Sequence, residues 1–243
     1  MKRCLTGIKE LDELLGGGLP PGDTLLIGPP GCGKTTFCTQ FIAEGLKRGE
    51  ACIYVTVDNS PNYIRKHLKL RGVDPHYYEQ KNLLRIIDCY SFKIKGWFPE
   101  KVREEYVVSN PADMNELLDK IEKARSEIGP NGRGVIDSLS TLILATHRED
   151  EKYSYAFTLL DLTNARVKEL ETSAIVVLVK GLHDPKVEAR ARYICEGVIE
   201  MIVMEKESAL ERYIRVSTMK FTHHGTDLLK YRITERGIEI VKD

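Results

Sequence analysis

The stretch GPPGCGKT, residues 28 to 35, satisfies every position of the pattern G-x-x-x-x-G-K-[ST]. It lies between an apolar run that reads as a strand, Thr24 to Gly28, and a helical pattern from Lys34 to Arg48. That is the context in which such a loop works. Its glycines let backbone amides curl around a β-phosphate, and the helix start adds the positive end of its dipole. The lysine, Lys34, reaches the β- and γ-phosphates, and the hydroxyl of Thr35 coordinates Mg²⁺. Gly28, Pro29, Pro30, Gly31, Cys32, Gly33, Lys34, Thr35 and Thr36 are therefore the candidate nucleotide contacts. The alternative, a Gly/Pro turn that merely joins strand to helix, leaves the Lys-Thr pair unexplained.

Working outward, strand-like runs alternate with helical patterns: Ala51 to Val57, Pro61 to Leu70, then Leu84 to Cys89. A helix is expected to start near Asn110 and Pro111, with Met114, Leu117, Leu118, Ile121, Ala124 and Ile128 as its apolar face. A strand near Gly134 to Ile136, a helix from Tyr153 to Leu170 and the apolar run Ala174 to Val179 follow. Such alternation implies an α/β fold with a mostly parallel sheet covered on both faces. From Val198 the pattern changes to strands and turns, which suggests antiparallel additions at one edge. With no repeat to divide it, the chain reads as one domain over residues 1–243.

Two carboxylates follow apolar strand patterns. A Mg²⁺ site needs an acidic anchor besides Thr35, and Asp137 in GVIDSLSTLI, after Val135 and Ile136, supplies one. A surface Asp at a strand end is the plain alternative. In YVTVDNSPNYI, Tyr54 to Ile64, Ser60 suits a helix N-cap and Pro61 the first helical turn. Asp58 sits two residues before that cap, placed either to do chemistry or simply to end the strand.

The bulk composition excludes several classes. The chain has 243 residues, 42% of them hydrophobic, and 36 basic residues balance 36 acidic ones, so no overall field draws it to nucleic acid or an anionic membrane. Six scattered cysteines show no CxxC spacing, which argues against a metal site or a disulfide framework and for reduced thiols in a cytoplasmic protein. No apolar run approaches the roughly 20 residues that span a bilayer.

Several stretches together resemble the KaiC-like branch of the RecA superfamily of P-loop ATPases, in its single-domain, archaeal-type form: TGIKELDELLGGGLPPGD, GPPGCGKTT, YVTVDNSP, VIDSLSTL and YRITERGIEIV. They span most of the chain. The resemblance implies a three-layer RecA-type core that binds ATP and ADP with Mg²⁺. It also implies head-to-tail assembly into homo-oligomers, commonly hexamers, with nucleotide between neighbours. In that family two glutamates end the strand after the phosphate-loop helix, and the first orients the attacking water. Here those positions read Asp58 and Asn59. An aspartate is shorter by one methylene, and a displacement of about 1 Å can cost on the order of a hundredfold in rate. Slow hydrolysis is the expectation.

The family's trans-acting finger, a Lys and an Arg two residues apart, corresponds to Thr218 and Lys220 in STMKFTHHG. One cation is missing, and a lysine lacks the guanidinium fork. An ordinary solvated strand lysine is the other reading of Lys220. Lys180, at the end of AIVVLVK, falls where related proteins often sense the γ-phosphate, though a lysine leaving a buried strand for solvent is the commoner reading; His224 matches a histidine near the finger, but two edge-strand polar residues explain His223 and His224 as well. SFKIKGWFPEKVR, Ser91 to Arg103, interleaves aromatics with cations as single-strand binders do, but packing of those aromatics on the body is favoured. LHDPKVEARARYICEG, Leu182 to Gly197, corresponds by resemblance to the loop that recombinases point at DNA, but Lys186, Arg190 and Arg192 are offset by Asp184 and Glu188, and contact with a neighbouring subunit is an equal reading. Three alternatives to a slow ATPase stay open: a nucleotide-state-dependent regulator of a protein partner, a single-stranded DNA-binding recombinase relative, and a small-molecule kinase. The last lacks an Arg-rich lid.

Overall fold

The computed structural model describes residues 2–94, 106–129, 132–146, 152–206 and 209–241. Its centre is a nine-stranded sheet. The strands are β1 (Gly22–Gly28), β2 (Ala51–Thr56), β3 (Leu84–Asp88), β4 (Gly132–Asp137), β5 (Ser173–Val179), β6 (Gly197–Lys206), β7 (Ala209–Met219), β8 (Leu229–Thr234) and β9 (Gly237–Ile240). They lie in the order β3-β2-β4-β5-β1-β6-β7-β8-β9. Pairing is parallel from β3 through β6 and antiparallel from β6 through β9. The expected parallel sheet with antiparallel strands at one edge is therefore present.

Eight α-helices occur among the described residues: α1 (Lys9–Leu14), α2 (Lys34–Lys47), α3 (Pro61–Leu70), α4 (Pro75–Gln80), α5 (Met114–Ile128), α6 (Leu139–Ala145), α7 (Lys152–Glu169) and α8 (Pro185–Ile194). They cover both faces of the sheet, because period-2 alternation divides each strand's apolar side chains between two cores. Leu26 joins Phe37, Phe41, Leu46, Ile64 and Leu68 beneath α2 and α3. Leu25 and Ile27 join Leu117, Leu142 and Leu159 beneath α5, α6 and α7. All six cysteines are free and buried.

Four segments differ from the sequence reading. Helix α5 starts at Met114 rather than near Asn110, because the Asp113 carboxylate accepts from the Asn115 and Glu116 N–H groups while Glu116 folds back onto Ser109 and Asn110. The two short helices α4 and α6 were not anticipated; each is started by a side chain, Asp74 accepting from His76 N–H and Ser138 from Thr141 N–H. The stretch 182–197, aligned by resemblance with a loop, is mostly helix α8, capped by Asp184. Residues 95–105 of the aromatic-basic segment, including Trp97 and Phe98, lie outside the described residues.

Candidate functional site

The site sits at the carboxyl ends of the parallel strands, where β1 runs into α2. The chain crosses from α2 to β2, which lies beyond β5 and β4. That crossover opens a crevice above the ends of β1, β4 and β2. Those ends carry Lys34 and Thr35, Asp137, and Asp58. Gly31 and Gly33 adopt positive φ of 74° and 100°, a backbone that lets the loop fold over the helix start. A Cβ at Gly33 would lie 2.7 Å from Ile233 Cδ1, the movable tip of a β8 side chain that covers the loop, so it is the positive φ rather than this contact that calls for glycine. The Tyr231 hydroxyl donates to the Cys32 carbonyl at 2.5 Å, fixing the loop from the same strand.

Lys34 is buried, and its ammonium donates to the carbonyls of Gly28 at 2.9 Å and Pro29 at 2.7 Å. The Thr35 hydroxyl donates to Asp137 Oδ2 at 2.8 Å, and the Tyr54 hydroxyl donates to the same oxygen at 2.8 Å. Asp137 is buried, and burial raises its pKa to about 6, with repulsion from Asp58 adding to the effect; the two hydroxyls and Lys34 oppose it. Its backbone carbonyl accepts from the Val57 N–H at 2.8 Å, so the end of β2 is tied to the end of β4.

Asp58 is half-buried at the mouth of the crevice, with Oδ1 accepting from the Thr141 hydroxyl. Ser60 caps α3 through Tyr63 N–H, so the capping role belongs to Ser60 while Asp58 faces the loop. The backbone of Lys180 donates to the Gly28 carbonyl at 3.0 Å, placing that residue beside the loop. Lys93 folds back to donate to the Val57 carbonyl at 2.8 Å.

The other candidates lie elsewhere. Lys220 follows β7 at the opposite end of the sheet, where Met219 pairs with Gly197 and Gly197 with Thr24. Its ammonium donates to the Tyr193 carbonyl at 3.2 Å and lies 3.8 Å from Glu196. Four residues of β1 separate Thr24 from Gly28, roughly 13 Å at strand rise, so Lys220 does not reach the phosphate loop of its own chain. His224 contacts the Gly225 carbonyl. Arg192 is paired with Glu188 and Glu200 at 2.8 and 2.6 Å, and Arg190 lies over the rings of Phe157 and Tyr193.

Sequence reasoning missed Tyr54, Thr141, Tyr63 and His67. Thr141 is four residues past Asp137, and α6 carries it back to the crevice; recognising Ser138 as a cap would have found it. Tyr54 resembles any other buried strand aromatic until its partner is seen.

A family model described as "ATPase: KaiC" matches residues 4–243. A UPF0273 protein of Thermotoga maritima is 33% identical over 241 residues, covering 99% of this chain and 96% of that one. The UPF0273 protein MJ1359 of Methanocaldococcus jannaschii is 31% identical over 245 residues, covering 100% and 98%. Among solved structures, that of the KaiC-like protein PH0186 from Pyrococcus horikoshii superposes with a TM-score of 0.79 at 26% identity, covering 99% of both chains.

Proposed function

Because the chain belongs to the KaiC family of ATPases, we propose that residues 1–243 act as one unit that binds ATP with Mg²⁺ and hydrolyses it slowly, at a site shared between subunits of a homo-oligomer. The observation that carries this reading is the Thr35 hydroxyl 2.8 Å from Asp137 beneath a complete phosphate loop. Two hard oxygen donors, one on a buried carboxylate, fit Mg²⁺, which takes few protein ligands and fills its octahedron with phosphate and water oxygens. Among the described residues no group of three or more His, Cys, Asp or Glu could hold a metal, so an ion here would draw on the nucleotide. When bound, it neutralises phosphate charge.

The chain's own residues divide the remaining work. Lys34 exchanges the Gly28 and Pro29 carbonyls for the β- and γ-phosphates, and the amides from Gly31 to Thr36 wrap the β-phosphate. Thr35 and Asp137 would hold the metal. Asp58 orients the attacking water, and its short side chain, engaged by Thr141, is the reason turnover is slow. Lys220 serves a neighbour's nucleotide, which accounts for its place at the far end of the sheet.

Equilibrium binding of labelled ATP, with and without Mg²⁺, tests the reading. Binding should strengthen with Mg²⁺ and be lost in Lys34→Ala; binding indifferent to Lys34 overturns it. A second reading, a nucleotide-state-dependent interaction protein with negligible turnover, is favoured by the engaged Asp58. It predicts a partner whose affinity differs between the ATP and ADP states with no steady-state phosphate release. The recombinase reading loses ground, since Arg192 is already neutralised by Glu188 and Glu200.

A further inference from the structure

Strand β4 lies between β2 and β5, and on the sheet face beneath α5 and α7 it carries Gly132, Gly134 and Ile136. The residues beside the two glycines are also small: Ala51 of β2 is paired with Gly132, and Ala174 of β5 with Gly134. Helix α5 packs on β2 and β3, and α7 on β1 and β5, so the gap between the two helices falls over β4, where the sheet has least to fill it. Glu122 of α5, paired with Arg125 and with Arg166 of α7, ties the helices across that gap.

A cavity of about 60 Å³ results, walled by Ile53, Ile121, Val167, Ala174 and Gly134. It leaves central-strand residues partly open: Ile53 is 8% and Ala174 7% exposed, against 0% for Leu25 and Ile27 on the same face. Packing does not demand all of this space. A Cβ at Gly132 would lie 1.9 Å from the Ala51 carbonyl oxygen, so glycine is required there. At Gly134 the nearest atom is Ala174 Cβ at 3.3 Å, a contact that a small shift relieves.

The cavity has a polar end, lined by Asp23. The Asp23 N–H donates to Asn164 at 3.0 Å and Oδ2 accepts from the Thr163 hydroxyl at 2.8 Å, whereas Oδ1 has no hydrogen-bond partner among the described residues. Arg125, also at the cavity, is committed to Glu122. A buried carboxylate oxygen without a donor is costly, and a donor carried in by an occupant would remove that cost.

We propose that this cavity is a second binding site, for a small, largely apolar molecule with a single N–H or O–H donor, seated over Gly134 between α5 and α7 and donating to Asp23 Oδ1. The aliphatic walls disfavour a bare ion or a sugar. At roughly 10–15 Å³ for each water-sized centre, the space takes about four to six non-hydrogen atoms. The site lies toward the amino ends of strands whose carboxyl ends carry the nucleotide crevice, and it does not rest on the ATP-binding reading.

Methyl NMR of the full chain, titrated with pyrrole and with furan, tests this. The two are flat rings of one size that differ in a single N–H. Titration at pH 8 keeps Asp23 ionised, since burial raises its pKa only to about 7. Pyrrole should shift the methyls of Ile53, Ile121 and Val167 saturably and bind at least about tenfold tighter than furan, the worth of a hydrogen bond to a charged acceptor. Asp23→Asn should bring the two rings within about threefold, because Thr163 claims the amide oxygen and a donor then meets the ring. Ala174→Leu, which fills the cavity, should abolish both sets of shifts. No saturable shift with either ring leaves a void that takes only water and overturns the proposal. Equal affinity for pyrrole and furan in wild type, a preference that persists in Asp23→Asn, or binding that survives a folded Ala174→Leu overturns it as well. Folding is checked by circular dichroism and the unfolding midpoint; should Ala174→Leu fail that check, Val167→Phe fills the cavity from α7 under the same criteria.

Discussion

The carboxylate of Asp58 and the hydroxyl of Thr141 meet at the mouth of the crevice, and this contact sets the expectation for single substitutions. Asp58→Glu lengthens the arm by one methylene and should speed phosphate release at least severalfold at saturating ATP; an unchanged or lower rate removes Asp58 from the mechanism. Tyr54→Phe should weaken the Mg²⁺ dependence of ATP binding, because Asp137 loses one of the two hydroxyls that hold its oxygen, while binding without Mg²⁺ stays within about twofold. Lys34, Thr35, Asp58 and Asp137 were legible from sequence because each occupies a fixed place relative to a strand end. Thr141 and His67 were not, since each reaches the crevice through a helix whose facing depends on where its cap falls.

At the scale of elements, helix α2 carries an informative glycine. Gly45 lies in its interior, where helix propensity alone favours Ala by about 1 kcal/mol. A Cβ there would sit 2.4 Å from Arg133 Nε. That side chain cannot withdraw: it donates to Glu50 at 2.8 Å and to the carbonyls of Leu5 at 2.7 Å and Phe41 at 2.8 Å. Gly45→Ala should therefore destabilise, by about 1–2 kcal/mol after the propensity gain is offset by overpacking, measured by denaturant unfolding. Helices α2, α3, α5 and α7 were readable from periodicity, whereas the ten-residue α8 was hidden because resemblance aligned it with a loop. What else escaped was short and cap-driven, as with α4 and α6, or displaced by a local carboxylate, as at Asp113.

For the molecule as a whole, Asp23 ties stability to pH. It is buried at the start of β1; Oδ2 accepts from Thr163, and Oδ1 has no hydrogen-bond partner among the described residues. Burial raises its pKa from 3.8 to about 7, Thr163 and Arg125 opposing and Glu196 adding to the rise. The folded chain therefore holds this proton more tightly than the unfolded chain, so its contribution is complete below about pH 4 and is lost as pH rises through about 7. Asp23→Asn should stabilise relative to wild type by on the order of 2–4 kcal/mol at pH 8, with the difference vanishing toward pH 4 in paired thermal melts. Assembly is the other whole-molecule expectation. The mass measured in solution should rise when ATP and Mg²⁺ are added, and Lys220→Ala should slow turnover without weakening ATP binding by a single subunit.

The antiparallel edge has two ends with different company. At one end Tyr231 grips the phosphate loop and pairs with Arg212 of β7; at the other, eight residues along the same strand path, stands Lys220. Some 27 Å of hydrogen-bonded ladder separates them. In the head-to-tail ring proposed above, this hairpin would join the phosphate loop of one subunit to the lysine offered to the next, as a connecting rod joins two cranks. On that arrangement Tyr231→Phe, which removes the tie to the Cys32 carbonyl, should make turnover per subunit independent of its neighbours.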